Sequence, residues 1–363
     1  MHKTVFFGPF IGEFHWEIAC WQGWVRRICI EKFANFRKIA CSYSGRAGLY
    51  PEVDEFISVP RTFDEEHKKH AVQYIIKGWR NGLPGSKEIR IVPKKEFKNG
   101  MPHVSYLEEE YFKIAPGPNV EPNAESMLKK IKEQLPKNTV YYVPWKYNKI
   151  ASDKLEFGLL PADHPKMNVY HPLPIEKRLL IEPITNDFQS AKFLTSIKIG
   201  RDELDKLIDR NKNLVSLFPR FRLNYRTRNW AKQKYLSLIE KLQTAFPDLQ
   251  IAIIGEPGGA YFDNGVPPGT IDLINVTEKD RTAIQIAALE KSIFSFGSSS
   301  GGLNLAYYTG CPILKWSNPK DVATDISSQI LSTPVKIIPT THPEVEDVYS
   351  EILNFSHSLG NKI

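Results

Sequence analysis

Residues 293–316, IFSFGSSSGGLNLAYYTGCPILKW, decide the fold class that we predict for this chain. Two short apolar runs, at 293–296 and 313–316, are typical of buried strands. Between them lie a loop of glycine and serine and a helical stretch at 303–308. A strand, a loop, a helix and another strand in this order form a crossover unit, whose two strands run parallel. The segment therefore predicts an α/β fold with a parallel sheet.

The same alternation extends through the second half of the chain. The hydrophobic pattern there predicts strands at 214–218, 250–254 and 271–275 and helices at 204–210, 230–246, 277–288 and 345–355. Thr277, with Asp280 three residues later, is a favourable start for one of these helices. These elements suffice for one complete α/β domain.

A separate series of elements occupies the first half. The pattern predicts strands at 4–7, 36–42, 55–59, 90–92 and 139–143 and helices at 16–33, 67–79 and 124–134. A proline-rich stretch from 144 to 195 shows little periodicity, and we predict an irregular connection there. We therefore predict two Rossmann-like domains, at 1–195 and 196–340, followed by a C-terminal helix at 341–363 able to pack back on the N-terminal domain.

The composition excludes a disordered, fibrous or membrane-spanning chain. The 363 residues are 42% hydrophobic and 25% charged, which is enough apolar material for two cores. No apolar run reaches the roughly eighteen residues of a membrane span, and the N-terminal residues do not resemble a secretion signal. We expect a cytoplasmic protein with at most peripheral membrane contact.

The net charge bears on the binding partners of the protein, and the cysteine spacing bears on metal sites and disulfides. The net charge of +7 favours anionic partners, such as a nucleotide, a lipid headgroup or nucleic acid. The four cysteines, Cys20, Cys29, Cys41 and Cys311, form no CxxC pair and no zinc-ligand spacing with histidine. We expect reduced thiols and no structural metal.

The first candidate site is the run Ser298, Ser299, Ser300, Gly301 and Gly302. Small residues between a strand and a helix let backbone N–H groups approach an anion, and serine hydroxyls add further donors. This pattern predicts a site for a diphosphate. A tight turn with serine caps is the alternative interpretation.

The second candidate is the basic run at 217–230, LFPRFRLNYRTRNW, with Arg220, Arg222, Arg226 and Arg228. It directly follows a predicted strand, where open parallel sheets bind their ligands. Guanidinium groups match phosphate oxygens and stay charged. Arg220, nearest the strand, and Arg228, nearest the helix, are the strongest candidates. The alternative is a solvated basic loop.

The third candidate is the loop at 253–265, IIGEPGGAYFDNG, where Gly255 and Glu256 follow a predicted strand. Together with Asn304 after the serine/glycine loop, these residues are our candidates for nucleotide or ribose binding. An ordinary surface loop is an equally good interpretation of the segment.

The fourth candidate is the turn at 8–15, GPFIGEFH, after the first predicted strand. A carboxylate or imidazole across a cleft from a bound diphosphate would remove the proton from an acceptor hydroxyl. Glu13 is the first choice for this base, His15 the second, and Glu17 a weaker third. The alternatives are a carboxylate that complements a helix N-terminus and a packed histidine.

These residues resemble the heptosyltransferase-like family of GT-B glycosyltransferases. Gly12-Glu13 is similar to the family's glycine-acid pair, with Glu in place of the usual Asp, and SSSGGLNLAYYTGCP is similar to its diphosphate motif. Leu303-Asn304 stands where the family pattern has Gly-x-x-His. The stretch FPRFR…RNW also resembles the basic motifs of fucosyltransferase-like enzymes. The resemblance implies two Rossmann-like domains facing a cleft, Glu13 as base, and inverting, metal-independent transfer.

We therefore expect a glycosyltransferase that moves a sugar from a nucleotide-diphosphate sugar to a hydroxyl of a glycan or lipid-linked saccharide. The resemblance implies that no metal takes part and, consistent with this, the sequence has no D-x-D pair in a plausible metal-binding loop. We expect no cofactor besides the nucleotide sugar, and we make no prediction about its nucleotide base. One alternative is a viral-type enzyme acting on a hydroxymethylated base in DNA. Others are a non-catalytic nucleotide- or polyanion-binding module and, less favoured, an epimerase.

Overall fold

A computed structural model describes two compact α/β units, each built on a parallel sheet. By contacts within the chain, the first unit comprises Met1–Ser44 and Glu52–Asn186, and the second comprises Gly45–Pro51 and Asp187–Ile363. The described residues are 3–10, 14, 17–59, 79–80, 89–90, 97–98, 101–102, 121–142, 194–221, 226–318 and 333–360. Among them no helix is both long and apolar enough to cross a membrane.

The first unit has a parallel sheet in the order β3-β2-β1-β8. Its strands are β1 (Thr4–Phe7), β2 (Arg37–Ser42), β3 (Glu55–Ser58) and β8 (Val140–Tyr142). Its helices are a π-helical turn (Glu17–Trp21) that continues into α1 (Gln22–Glu31), and α2 (Glu121–Gln134). Two antiparallel pairs join β4 (Trp79–Arg80) to β5 (Ile89–Arg90) and β6 (Phe97–Lys98) to β7 (Met101–Pro102). Residue 79, predicted at the end of a helix, thus lies in a strand, because it pairs with Arg90.

Both faces of this first sheet are apolar around its centre, which explains why β1 is buried along its whole length and why β2 is buried from Ile39 onward. On one face, Phe6 and Ile39 pack with Leu128 of α2. On the other face, Phe7 stacks on Tyr142, with ring centroids 5.5 Å apart, and contacts Phe33 after α1. The helices on either side therefore hold the sheet in a buried layer.

The second unit has a six-stranded parallel sheet in the order β11-β10-β9-β12-β13-β14. The strands are β9 (Asn213–Phe218), β10 (Leu249–Ile253), β11 (Ile271–Asp272), β12 (Ser295–Ser298), β13 (Ile313–Trp316) and β14 (Val335–Ile338). The helices are α3 (Lys198–Leu204), α4 (Lys232–Ala245), α5 (Arg281–Lys291), α6 (Asn304–Thr309) and α7 (Val345–Ser358). The α/β class and the parallel sheets that the sequence predicts are confirmed.

The strand order reverses between β9 and β12. Strands β9, β10 and β11 follow one another outward in one direction, and β12, β13 and β14 follow in the other. This is the Rossmann strand order, in which ligands bind outside the carboxyl ends of the two central strands. In the first unit, β1 and β8 are the corresponding neighbours.

The C-terminal helix α7 completes the core of the second unit. Val348, Ile352 and Phe355 are buried in the same cluster as Trp230 and Trp316. The indole N–H of Trp230 also donates to the Pro343 carbonyl, at 2.8 Å, which fixes the start of α7. The buried face of the helix that we expected to reach back to the N-terminal domain is therefore used within the second unit.

Two elements of the second unit also differ from the sequence prediction. The helix predicted at 204–210 lies earlier in the chain, because the observed helix α3 runs from Lys198 to Leu204. Gly200 and Leu204 are its buried residues. Strand β14 has no counterpart in the prediction. Its four residues are only half buried, and its place is set by pairing with β13 at the edge of the sheet.

The connection between β2 and β3 packs in the second unit. It contains a 3₁₀ turn (Ala47–Leu49), and the Gly45 carbonyl accepts a hydrogen bond from the Thr282 N–H at 3.0 Å. A Cβ on Gly48 would lie 2.7 Å from Cα of Ala283, so only glycine permits this close approach to α5. The turn therefore holds Arg46 in a defined place in the second unit.

Candidate functional site

The candidate site lies at the carboxyl ends of β9 and β12. Phe218, the last residue of β9, is in register with Gly297, the penultimate residue of β12. A Cβ on Gly297 would lie 2.5 Å from the Phe218 carbonyl oxygen, so the two backbones are in direct contact. The loops that leave these strands therefore begin side by side.

Arg220 is the best-fixed arginine of the basic run. The residue is 7% exposed, and its guanidinium donates a hydrogen bond to the side-chain oxygen of Asn229. Its backbone forms a bridge with Ala260 in the loop after β10. The Tyr261 N–H donates to the Pro219 carbonyl at 2.7 Å and strengthens this contact. The segment after β9 is thus held against the loop after β10, as the two candidate segments require if they act together.

Ser298 joins the basic run to the serine/glycine loop. The serine is buried, and its hydroxyl donates a hydrogen bond to the backbone carbonyl of Arg228. Tyr235 of α4 lies under the same junction. Burial raises the pKa of its hydroxyl, while the backbone of Ser298 and the charge of Arg220 oppose that rise. The hydrogen bonds of Arg220 to Asn229 and of Ser298 to Arg228 therefore join the basic run to the end of β12.

Beyond Ser298, the loop presents unused backbone donors. The Ser299 N–H donates to the Trp316 carbonyl at 3.0 Å, and the Ser300 hydroxyl accepts from the Leu303 N–H at 3.2 Å. The N–H groups of Ser300, Gly301 and Gly302 donate to no acceptor within the described part of the chain. All three residues are half exposed. Three successive N–H groups without an acceptor among the described residues are donors that a phosphate could use.

The loop after β10 brings a carboxylate to the same edge. Its second residue, Gly255, accepts a hydrogen bond at its carbonyl from the buried Gln285 amide at 2.8 Å. The next residue, Glu256, keeps 35% of its side chain exposed and forms an ion pair with Arg46, Nη2 to Oε1, at 3.8 Å. Glu256 is therefore held by a cation on one side and accessible to a ligand on the other.

Most of the predicted donor-binding residues come together at this edge. It carries Arg220, Arg228, Ser298, Ser299, Ser300, Gly301, Gly302, Gly255, Glu256 and, at the start of α6, Asn304. Arg222 lies outside the described residues, and of Arg226 only the backbone, in a 3₁₀ turn (Arg226–Arg228), is described. Their assignments stay predictions.

The predicted catalytic pair also lies outside the described residues. Glu13 and His15 follow β1, whose neighbour β8 makes this the switch point of the first sheet. The described chain reaches Phe10, whose N–H donates to the Cys41 carbonyl at 2.8 Å. Glu17, the third candidate, is completely buried in the π-helical turn. Its burial removes it from contact with a substrate and leaves Glu13 and His15 as the candidates.

Three residues that support the candidate site were not predicted from the sequence. Asn229 holds the Arg220 side chain, Tyr235 lies beneath Ser298, and Arg46 reaches Glu256 from a distant part of the sequence. Asn229 lies within the basic run at 217–230, directly after Arg228, and this position is the one signal that the sequence gives for it. The role of Arg46 follows only from the tertiary contact of its turn with α5.

No group of three or more His, Cys, Asp or Glu side chains able to hold a metal ion exists among the described residues. The side chains of three of the four cysteines, Cys29, Cys41 and Cys311, are described there, and these thiols are free and buried. Burial raises the pKa of the Cys29 and Cys311 thiols to about 12. These thiols are neutral at physiological pH and chemically inert.

No protein-family model matches the chain, and no curated protein matches it by sequence. Among solved structures, it is similar to the E. coli ADP-heptose LPS heptosyltransferase II, with 11% identity over 98% of both chains and a TM-score of 0.45. E. coli heptosyltransferase WaaC with ADP has 10% identity, over 98% of this chain and 99% of that one, with a TM-score of 0.46. A family 9 glycosyl transferase from Veillonella parvula DSM 2008 has 11% identity, over 100% and 90% of the chains, with a TM-score of 0.42. These similarities are too low to carry an argument about function.

Proposed function

We propose that the second unit binds the nucleoside diphosphate of a nucleotide sugar and that the protein is a GT-B glycosyltransferase. The observation that carries the proposal is the meeting of two anion-binding elements at one switch point. Arg220 and Arg228 follow β9, and the free N–H groups of the serine/glycine loop follow the adjacent strand β12. The arginines and the loop N–H groups can share the charge of a diphosphate, because both elements leave adjacent strands at the same edge of the sheet.

The position of Glu256 supports a nucleotide rather than a bare diphosphate. In Rossmann domains the strand beside the first one ends near the ribose, and a carboxylate there accepts hydrogen bonds from ribose hydroxyls. Strand β10 is that neighbour of β9, and Glu256 is the third residue after its end. The diphosphate would thus lie between β9 and β12, with the ribose towards β10.

For the transfer step we propose Glu13 as the base. Its carboxylate takes the proton of the acceptor hydroxyl, and that oxygen attacks the anomeric carbon of the donor sugar. The bond from this carbon to the diphosphate oxygen breaks, and the leaving diphosphate takes the electron pair. Arg220, Arg228 and the loop N–H groups stabilise the resulting charge without a metal ion. A single displacement inverts the anomeric centre, and the acceptor is a glycan or lipid-linked hydroxyl.

The first experiment measures binding of ADP, GDP, UDP and CDP by calorimetry. Arg220→Met should weaken binding of the preferred diphosphate by about tenfold to a hundredfold, the effect of losing one or two charge-assisted hydrogen bonds. Arg210→Met is the matched control, because the Arg210 side chain is 69% exposed and pairs with Asp205 away from the site. Equal affinities of the two variants would contradict the proposed site.

The second experiment tests the reaction. With a nucleotide sugar of the preferred base and a panel of saccharide acceptors, Glu13→Gln should abolish transfer and leave diphosphate binding unchanged. Transfer at the wild-type rate would make the base assignment wrong. Diphosphate binding by the wild-type protein without turnover of any nucleotide sugar would favour a non-catalytic binding module. Tight, salt-sensitive binding of duplex DNA would favour the DNA-modifying alternative.

A further inference from the structure

Arg46 is a buried cation whose charge lies beside Glu256. Its side chain is 9% exposed, and its Nη2 lies 3.8 Å from Oε1 of the glutamate. A guanidinium is costly to bury unless an opposite charge or hydrogen bonds compensate it, so its position is defined. The distance exceeds that of a hydrogen bond, and the attraction is therefore mainly electrostatic.

The turn that carries Arg46 is anchored on both sides of the residue. Before it, the Gly45 carbonyl accepts from the Thr282 N–H at 3.0 Å. After it, Gly48 touches the backbone of Ala283, and Leu49 is completely buried. Both anchors are on α5, which also holds Gly255 through Gln285. One helix thus positions the arginine and the loop that carries Glu256.

The pair leaves one carboxylate oxygen for a ligand. Arg46 faces Oε1, and no described residue donates a hydrogen bond to Oε2 of Glu256. A carboxylate oxygen has two lone pairs, so Oε2 can accept from two neighbouring hydroxyls. Adjacent hydroxyls on one ring are what a ribose presents, whereas a deoxyribose presents a single one.

We propose that Arg46 is a positioning residue that holds Glu256 against the ribose and so selects ribonucleotide donors over deoxyribonucleotide donors. This inference rests on the proposed function of the second unit. It gives a role to a residue that the chain supplies from the connection between β2 and β3.

The test compares the ribose and deoxyribose forms of ADP, GDP, UDP and CDP by calorimetry. The wild-type protein should prefer the ribose form of its best ligand by about tenfold, as one lost hydrogen bond to a charged acceptor predicts. Arg46→Met and Glu256→Gln should each reduce this preference to about threefold or less, and the double variant should lose no more than the stronger single one. Arg210→Met should keep the full preference.

The ratio of two affinities separates positioning from stability, because a partly unfolded protein loses both ligands equally. Arg46→Lys, which keeps the positive charge, replaces Arg46→Met in the test if the methionine variant does not fold. It should give an intermediate preference for the ribose form, because lysine lacks the planar fork of arginine. An unchanged preference in the Arg46 variants, with loss in Glu256→Gln, would leave Arg46 a purely structural role and overturn the inference. Equal binding of both sugar forms by the wild type would also overturn it, while the proposed function would stand. Failure to bind any nucleoside diphosphate would overturn the proposed function itself.

Discussion

Replacing Gly297 with alanine should force apart the two strands whose ends carry the candidate site. The new Cβ would lie 2.5 Å from the carbonyl oxygen of Phe218 and 2.9 Å from its Cβ. Carbon–oxygen contacts between strands normally begin near 3.3 Å, so the backbones must separate by about 0.8 Å. Because both partners are backbone or Cβ atoms, no side-chain rotation relieves the clash.

The expected cost follows from this geometry. Overpacking of a buried contact destabilises by about 1–3 kcal/mol, and we expect Gly297→Ala to lie in the upper half of that range. Gly302→Ala, in the loop that follows β12, is the matched control, because its nearest new contact is the Ser300 hydroxyl at 3.9 Å. The free energy of unfolding of that variant should equal that of the wild type or exceed it by up to about 1 kcal/mol, because alanine makes the unfolded chain less flexible.

Urea unfolding followed by tryptophan fluorescence measures both variants. Trp230 and Trp316 are buried in the core of the second unit, with ring centroids 4.9 Å apart, and report its unfolding. Gly297→Ala should also weaken binding of the preferred nucleoside diphosphate, since it displaces Ser298 from the Arg228 carbonyl. Equal unfolding midpoints for Gly297→Ala and Gly302→Ala would refute the contact between β9 and β12 on which the site depends.

Three further predictions concern other contacts. Ser298→Ala should lower the free energy of unfolding by about 1–3 kcal/mol, because it removes the buried hydroxyl that donates to the Arg228 carbonyl, and calorimetry would detect the shift in Tm. Arg26→Met should cost about 3 kcal/mol in urea unfolding, since the buried guanidinium pairs with Glu52 at 2.7 Å and the carboxylate would lose its partner; a loss below about 1 kcal/mol would contradict this. Cys29 and Cys311 should react with a disulfide reagent at neutral pH only after unfolding, because burial raises the pKa of each thiol to about 12. Because folding raises the pKa of these thiols, the thiols of the unfolded chain ionise at lower pH than those of the folded protein. The free energy of unfolding should therefore fall as the pH rises above 9.0, the ordinary pKa of a thiol. Urea midpoints at increasing pH measure this fall.

The central strands were predictable because both of their faces are buried. Residues 313–316 are apolar except for Lys315 and coincide with β13 (Ile313–Trp316), and the strand predicted at 214–218 differs from β9 by one residue. A continuous apolar run flanked by turn residues leaves little ambiguity. Strand β14 escaped prediction because an edge strand with half-buried residues lacks that pattern.

The candidate site was predictable where its chemistry is local. A basic run after a strand and a serine/glycine run after another are visible in the sequence, and the structure brings Arg220, Arg228 and Ser298 to one edge. The residues that hold these side chains and Glu256 in place were not predictable. Tyr235 and Arg46 belong to segments with no distinctive composition, and their positions follow from packing against distant residues.

The sequence by itself determined the alternation of strands and helices, and the residue types in each loop, because hydrophobic periodicity and turn chemistry are local properties. Only the tertiary structure decided that β12 lies beside β9, so that the serine/glycine loop meets the arginines. Backbone hydrogen bonds are alike in every strand, and the choice of neighbour is made by packing, as where Gly297 lets two backbones touch. The same reason explains why Arg46 meets Glu256 across more than half the length of the chain.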